Sequence, residues 1–228
     1  MATRQLEVRI PIDHDRIDGT LVIPDEPRGL VLFAHGSGSS RFSSRNRFVA
    51  STLHRARLGT LLLDLLTPDE EHVDAATAQL RFDIELLANR VVAATDWLGA
   101  QQITPPSPLG YFGASTGAAA ALIAAARRPS AVGAIVSRGG RPDLADEALG
   151  HVRAPTLLIV GGDDTELLVL NQDARRALAA RRKDLQIIPG ATHLFEEPGA
   201  LEEVARLATA WFEQSLAAQS EDAVAGRL

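Results

Sequence analysis

GYFGASTGAAAALIAAARR, residues 110–128, decides how the rest of the chain is read. A short apolar run meets an alanine-rich segment of helical character, and at the junction stand Gly113, Ser115 and Gly117. Glycine weakens strands and helices alike, so propensity does not explain its presence here. The pentapeptide fits Gly-x-Ser-x-Gly at the point where a strand hands over to a helix. In that setting the serine occupies a sharp, strained turn and the small neighbours let strand and helix approach closely. The amide of Thr116 and the dipole of the helix would then face any negative charge developing beside Ser115. The plainer reading is a tight turn in which Ser115 merely caps the helix.

Working outward, short runs rich in Val, Ile and Leu alternate with longer segments of helical period. QLEVRI and GTLVIP, joined through a polar link at His14 to Asp18, read as an antiparallel hairpin. GLVLFAH (29–35) reads as a strand buried on both faces, followed by the loop GSGSSRFSS, a helix to about Ala56, and a strand at 59–66. TPDEEHVDAAT reads as a polar loop before a helix from Gln79 to Gly99, and QITPPSP as a break. After the serine come strands at 131–137, 154–162 and 184–190, with helical pieces near 142–149, 166–180 and 198–215. Such alternation predicts an α/β fold around a mostly parallel sheet. We expect one domain over residues 1–215 and a flexible tail at 216–228.

A serine hydroxyl is a poor nucleophile without a base, so the histidines decide what Ser115 can do. Of six, at 14, 35, 54, 72, 151 and 193, His193 in PGATHLFEEPG follows the last strand, where the carboxyl ends of parallel strands converge. His35 reads as a structural residue organising its turn. The strand TLLIV leads into GGDDTELL, which offers Asp163, Asp164 and Glu166 as the acid that would orient the imidazole. Asp164 is preferred, Asp163 is the alternative, and at least one of the three is expected to serve the next helix as a cap. The chain order is serine, acid, histidine. A second donor for an oxyanion is expected in FAHGSGSS, from the amide of Ser37, beside that of Thr116.

Bulk properties bound the rest. The chain has 228 residues, 46% hydrophobic and 4% aromatic, which suits an aliphatic core built without disulfides. A net charge of −6 with scattered arginines offers no field for nucleic acid, and a small-molecule substrate is expected. There is no cysteine, which removes thiol chemistry and fits a reducing compartment; the cytoplasm is the expected location. The first residues lack the apolar core of a signal peptide, and GAAAALIAAA is too short to span a bilayer. No histidine pair has metal-ligand spacing, and neither metal nor cofactor is expected. Monomer and dimer are both open.

With FAHGSGSSR, GYFGASTGA, VGGDD and GATHLF in place, the chain resembles the α/β-hydrolase superfamily, and within it the small dienelactone-hydrolase-like group, over about residues 5–215. The resemblance implies a sheet of about eight strands with an N-terminal antiparallel hairpin, helices on both faces and no separate cap domain. It implies hydrolysis of esters or lactones through an acyl-enzyme. Position by position, Ser115 matches the nucleophile, Asp164 the acid, His193 the base, and the amides of Ser37 and Thr116 the oxyanion hole. Dienelactone hydrolases proper use a cysteine where this chain has Ser115, so a general carboxylesterase or lactonase is the expectation. SRGGRPDLADEALG (137–150) is the expected cover of the pocket, bringing Arg138 and Arg141 near it. These, or Arg41, Arg45 and Asn46, are candidates to bind a substrate carboxylate, against the blander expectation of structural pairing with Asp143 or Asp146. Rival readings are a nucleotide site built on Gly36, Gly38 and Asp64, in which Arg41 stands where a third glycine belongs, a binding protein on a hydrolase fold with altered chemistry, and a cofactor-free perhydrolase.

Overall fold

The computed structural model describes residues 3–101 and 108–225, with side chains to residue 217. Its strands are β1 (Thr3–Ile12), β2 (Asp15–Pro24), β3 (Gly29–Ala34), β4 (Leu58–Leu63), β5 (Leu109–Ala114), β6 (Val132–Arg138), β7 (Thr156–Gly161) and β8 (Lys183–Ile188). Its helices are α1 (Ser44–Arg55), α2 (Pro68–Thr77), α3 (Ile84–Ala100), α4 (Thr116–Arg127), α5 (Thr165–Ala177) and α6 (Ala200–Ala225), with 3₁₀ segments at Leu80–Phe82 and Pro142–His151. The strands form one eight-stranded sheet in the order β1-β2-β4-β3-β5-β6-β7-β8. β1 and β2 are antiparallel, β2 runs antiparallel to β4, and every pairing from β4 through β8 is parallel.

β3, β4, β5, β6 and β7 are buried along their whole length, which is why they read as continuous apolar runs. Side chains alternate between two cores. Tyr111 of β5 joins Leu87 and Val91 of α3 and Leu122 of α4 on one face. Phe112, one residue on, joins Leu53 of α1 and Phe212 of α6 on the other. Phe112 also stacks on Phe33 of β3, with ring centroids 4.8 Å apart. Burying a side chain of this size contributes about 1.5–3 kcal/mol, so each strand is held from both sides.

The expected architecture of sheet, hairpin and two helical layers is present, with three local differences. The hairpin link is tighter than His14 to Asp18, because β1 and β2 already pair at Ile12 and Asp15. TPDEEHVDAAT is largely helical: Thr67 accepts the amide of Glu70, Glu70 reaches back to the amide of Thr67, and Pro68 stands in the first turn as α2. α6 runs on to Ala225, ten residues past its expected end, through a segment rich in Ala, the strongest helix former. The break expected at QITPPSP falls almost wholly outside the described residues. No helix among the described residues is long and apolar enough to cross a membrane.

Candidate active site

Ser115 stands alone between β5 and α4 with φ 50° and ψ −122°. These are the angles of the first central residue of a type II′ turn, a place normally given to glycine. The surrounding backbone holds it there. Its N–H donates to the carbonyl of Arg138 (3.2 Å), and its own carbonyl accepts from the amides of Ala118 and Arg141 (both 3.1 Å). Its hydroxyl makes no capping bond to α4 and is half-buried, so the plainer capping role is not the one the side chain plays. The two glycines are required by space. A Cβ on Gly117 would lie 2.3 Å from the carbonyl oxygens of Ala34 and His35, and one on Gly113 would lie 2.4 Å from the Cα of Ala118.

Asp164 and His193 come from the turns after β7 and β8. Asp164 precedes α5 but makes no side-chain cap. Its carboxylate, 12% exposed, instead accepts from Nδ1 of His193 at 2.9 Å. A carboxylate only accepts, so Nδ1 carries the hydrogen and Nε2 is left with a lone pair. Asp163 is exposed and uses its amide to bond Ala191, tying the acid turn to the histidine loop. That loop is anchored by Phe195, buried in a left-handed conformation with φ 56°.

The loop after β3 crosses directly over the serine: a Cβ on Gly36 would come within 2.9 Å of the Ser115 Cβ. His35 fixes the loop from below. Its Nδ1 donates to the carbonyl of Gly36 (2.9 Å) and its Nε2 accepts from the amide of Leu65 (3.1 Å), which defines a neutral ring. Ser37 follows in the same loop, and the Thr116 amide belongs to the first turn of α4, where N–H groups lack partners inside the helix.

Most of the candidate arginines are engaged. The amide of Arg41 donates to Asp64 (2.7 Å), its guanidinium bonds the same carboxylate, and Glu7 and Asp18 lie 3.7 and 4.0 Å away. That pairing also removes Asp64 from the role a nucleotide site would give it. Arg141 pairs with Asp143 through bonds of 2.9 and 2.7 Å. Arg45 pairs with Glu196 at 3.0 Å, while Asn46 is buried and its amide donates to the hydroxyl of Ser43 at the head of α1. Arg138 differs: it is buried, and burial together with neighbouring Arg45 pushes its guanidinium down to about 10.

A cavity of about 500 Å³ opens beside the oxyanion-side loop, lined by Ser37, Gly38, Phe42, Leu66, Glu71 and Arg81 among others. Its far wall is α2, the following 3₁₀ turn and α3, and no residue of 137–150 lines it. The expected cover is therefore not a wall of this cavity. Residues 138–141 are tied by backbone bonds to Ser115 and, through Gly139, to Ile159, and the 3₁₀ segment after them packs on α4 and α5. Arg81, bonded to Asp74 through Nε at 2.6 Å, was not singled out by the sequence; the Thr67–Glu70 capping box was the signal that could have placed its wall.

This sheet, with a serine elbow after β5 and an acid and a histidine after β7 and β8, defines an α/β-hydrolase fold. The sequence profile of the dienelactone hydrolase family matches residues 52–218, and the chain belongs to that family. The crystal structure of a dienelactone hydrolase from Anabaena variabilis is 57% identical, with a TM-score of 0.92 over 94% of this chain and 99% of that one. Est1E from Butyrivibrio proteoclasticus shares the fold, with a TM-score of 0.77 at 15% identity over 92% of this chain and 99% of its own. A Mycobacterium tuberculosis protein provisionally named a phosphoribosyl transferase is 56% identical over 209 residues, 92% of this chain and 46% of that protein. The chain therefore spans about half the length of that curated relative.

Proposed function

We propose that the protein is a serine hydrolase of small carboxylic esters or lactones, acting through an acyl-enzyme. Two observations carry this reading: the elbow serine makes no capping bond, and the histidine expected to serve it has its Nδ1–H committed to Asp164. Nε2 of His193 takes the proton of Ser115 as Oγ attacks the carbonyl carbon, and the amides of Ser37 and Thr116 hold the resulting oxyanion. Collapse expels the alcohol oxygen, which receives the proton from the imidazolium and leaves acyl-Ser115. Water, deprotonated by the same Nε2, then attacks the acyl carbon, and collapse releases the acid as the imidazolium returns its proton to the departing Oγ of Ser115. Asp164 keeps the imidazole in the required tautomer throughout. The cavity beside Ser37 would receive one part of the substrate.

A fluorophosphonate probe tests this reading. Label is expected on Ser115, lost in Ser115→Ala and strongly reduced in His193→Ala. An unlabelled wild-type protein, or label elsewhere, defeats the assignment.

Phosphoribosyl transfer, suggested by the name of the Mycobacterium tuberculosis relative, is the second reading. It is the weaker one, because more than half of that protein lies outside the match. A phosphoribosyl diphosphate that raised the melting temperature of this chain would favour it.

A further inference from the structure

α5 buries one face, made of Leu167, Asn171 and Ala174. Two of these are apolar, as the side of a helix turned to the core requires, and the third is an amide with no exposed surface. Its Nδ2 donates to the carbonyl of Leu167 one turn back (2.8 Å) and to the carbonyl of Gly140 across the interface (3.0 Å). Both partners only accept, so the nitrogen faces them, and Oδ1 is covered and without a donor among the described residues. Leaving an acceptor buried and unmet costs about as much as two ordinary hydrogen bonds contribute. Stability alone does not explain this residue.

The bond to Gly140 reaches the site. The Gly140 carbonyl and the Arg141 N–H belong to one planar peptide unit and point in opposite directions. Asn171 holds the oxygen, and the N–H donates to the carbonyl of Ser115 at 3.1 Å. That carbonyl belongs to the residue whose left-handed backbone has to be maintained. The same turn borders the other two residues of the site. The Gly139 amide donates to the carbonyl of Ile159 (2.8 Å) on β7, the strand that leads to Asp164, and a Cβ on Gly139 would lie 3.1 Å from the carbonyl oxygen of His193. Asn171 itself stands about two turns along the helix that begins directly after Asp164.

We propose that Asn171 is a positioning residue for Ser115: through the Gly140–Arg141 peptide it fixes the nucleophile's backbone, and through α5 it ties that backbone to the helix following Asp164. This inference rests on the reading of Ser115 as the nucleophile. Asn171 touches no reacting atom. It acts by keeping Oγ of Ser115 where Nε2 of His193 can serve it, and a misplacement of about 1 Å is enough to cost about a hundredfold in rate.

Asn171→Leu keeps the branching of the side chain and removes the donor. Its kcat on a nitrophenyl ester is expected to fall about tenfold to a hundredfold with KM within about threefold, because the substrate's own contacts are untouched. Ala174→Gly is the control: it weakens the same face of α5 through glycine's poor helix propensity, and its kcat should stay within about twofold of the wild type. Equal kcat in the two variants would make Asn171 a packing residue of α5 and overturn the proposal. Should leucine be too bulky for folding, Asn171→Ala removes the donor without adding volume and is read in the same way.

Amide hydrogen exchange reads the clamp without any substrate. In Asn171→Leu the Arg141 amide is expected to exchange at least about tenfold faster than in the wild type, as the loss of one supporting hydrogen bond implies, whereas Ala174→Gly should speed exchange in α5 and leave Arg141 protected. An Arg141 amide as protected in Asn171→Leu as in the wild type overturns the proposal whatever the kinetics. Should the wild type turn over no ester and Ser115 resist fluorophosphonate, the hydrolytic reading fails by itself, and the exchange of Arg141 alone decides whether Asn171 fixes the backbone at Ser115.

Discussion

Nδ1 of His193 lies 2.9 Å from Oδ2 of Asp164, while neighbouring Asp163 points its side chain to solvent. The two aspartates are adjacent in sequence and opposite in environment. Asp164→Asn keeps the size of the side chain but lets the imidazole turn to the wrong tautomer, so ester turnover is expected to fall on the order of 10³–10⁴-fold. Asp163→Asn should leave turnover within about twofold, as is usual for an exposed substitution. Equal losses in kcat for the two variants would count against Asp164 as the orienting acid.

Ser115 keeps a left-handed backbone that costs about 1–3 kcal/mol in a residue with a Cβ. Ser115→Ala removes the hydroxyl and keeps the strain, whereas Ser115→Gly removes both. Both variants should be inactive. The glycine variant should be the more stable of the two in urea unfolding, by about 1 kcal/mol after its greater chain entropy is counted. An alanine variant as stable as the glycine one would mean the turn is not strained.

Gly117 has no room for a methyl group, since its Cβ would meet two backbone carbonyls at 2.3 Å that cannot rotate aside. Gly117→Ala is expected to destabilise by about 3 kcal/mol or more, seen as a lowered urea midpoint. Gly99, near the end of α3, has nothing within 4 Å, and Gly99→Ala should instead stabilise by about 0.5–1 kcal/mol. The pair separates backbone crowding from glycine's entropy.

The parts of this arrangement that show in the sequence are those fixed by local chemistry. Gly113, Ser115 and Gly117 declare a crowded turn because only small residues fit it, and buried parallel strands declare themselves by unbroken apolar runs. Asp164 over Asp163 was a preference only, since both stand where a helix cap would, and the choice depends on which side chain the histidine loop approaches. α2 hid behind its charge: DEEH has no apolar stripe, and its helix is declared by the capping box around Thr67 and Glu70 rather than by period. Arg138 and Arg141 look alike in SRGGR, yet one has Asp143 within reach and the other faces Phe195. That difference comes from where each stands: Arg138 is the last residue of β6, whereas Arg141 heads the 3₁₀ segment that carries Asp143.

His35 gives the fold a pH dependence of known sign. Burial is the main cause that pushes its pKa below the ordinary 6.5, against smaller upward pulls from the Gly36 carbonyl and from Asp64. The unfolded chain therefore binds a proton at His35 more readily than the folded one, so stability is intact above pH 6.5 and is lost as pH falls from there toward the folded pKa. Protonation would also cost the bond from the Leu65 amide to Nε2, because a charged ring has no acceptor. His54, bonded to Thr60 at 2.8 Å and likewise pushed down mainly by burial, acts in the same direction. Melting temperatures measured between pH 7.5 and 5 should fall with acidity in the wild type. His35→Gln, which can still donate and accept, should flatten part of that slope, and the double variant with His54→Gln more of it. A slope unchanged in both variants would assign the acid sensitivity to other groups and leave the loop over Ser115 without this control.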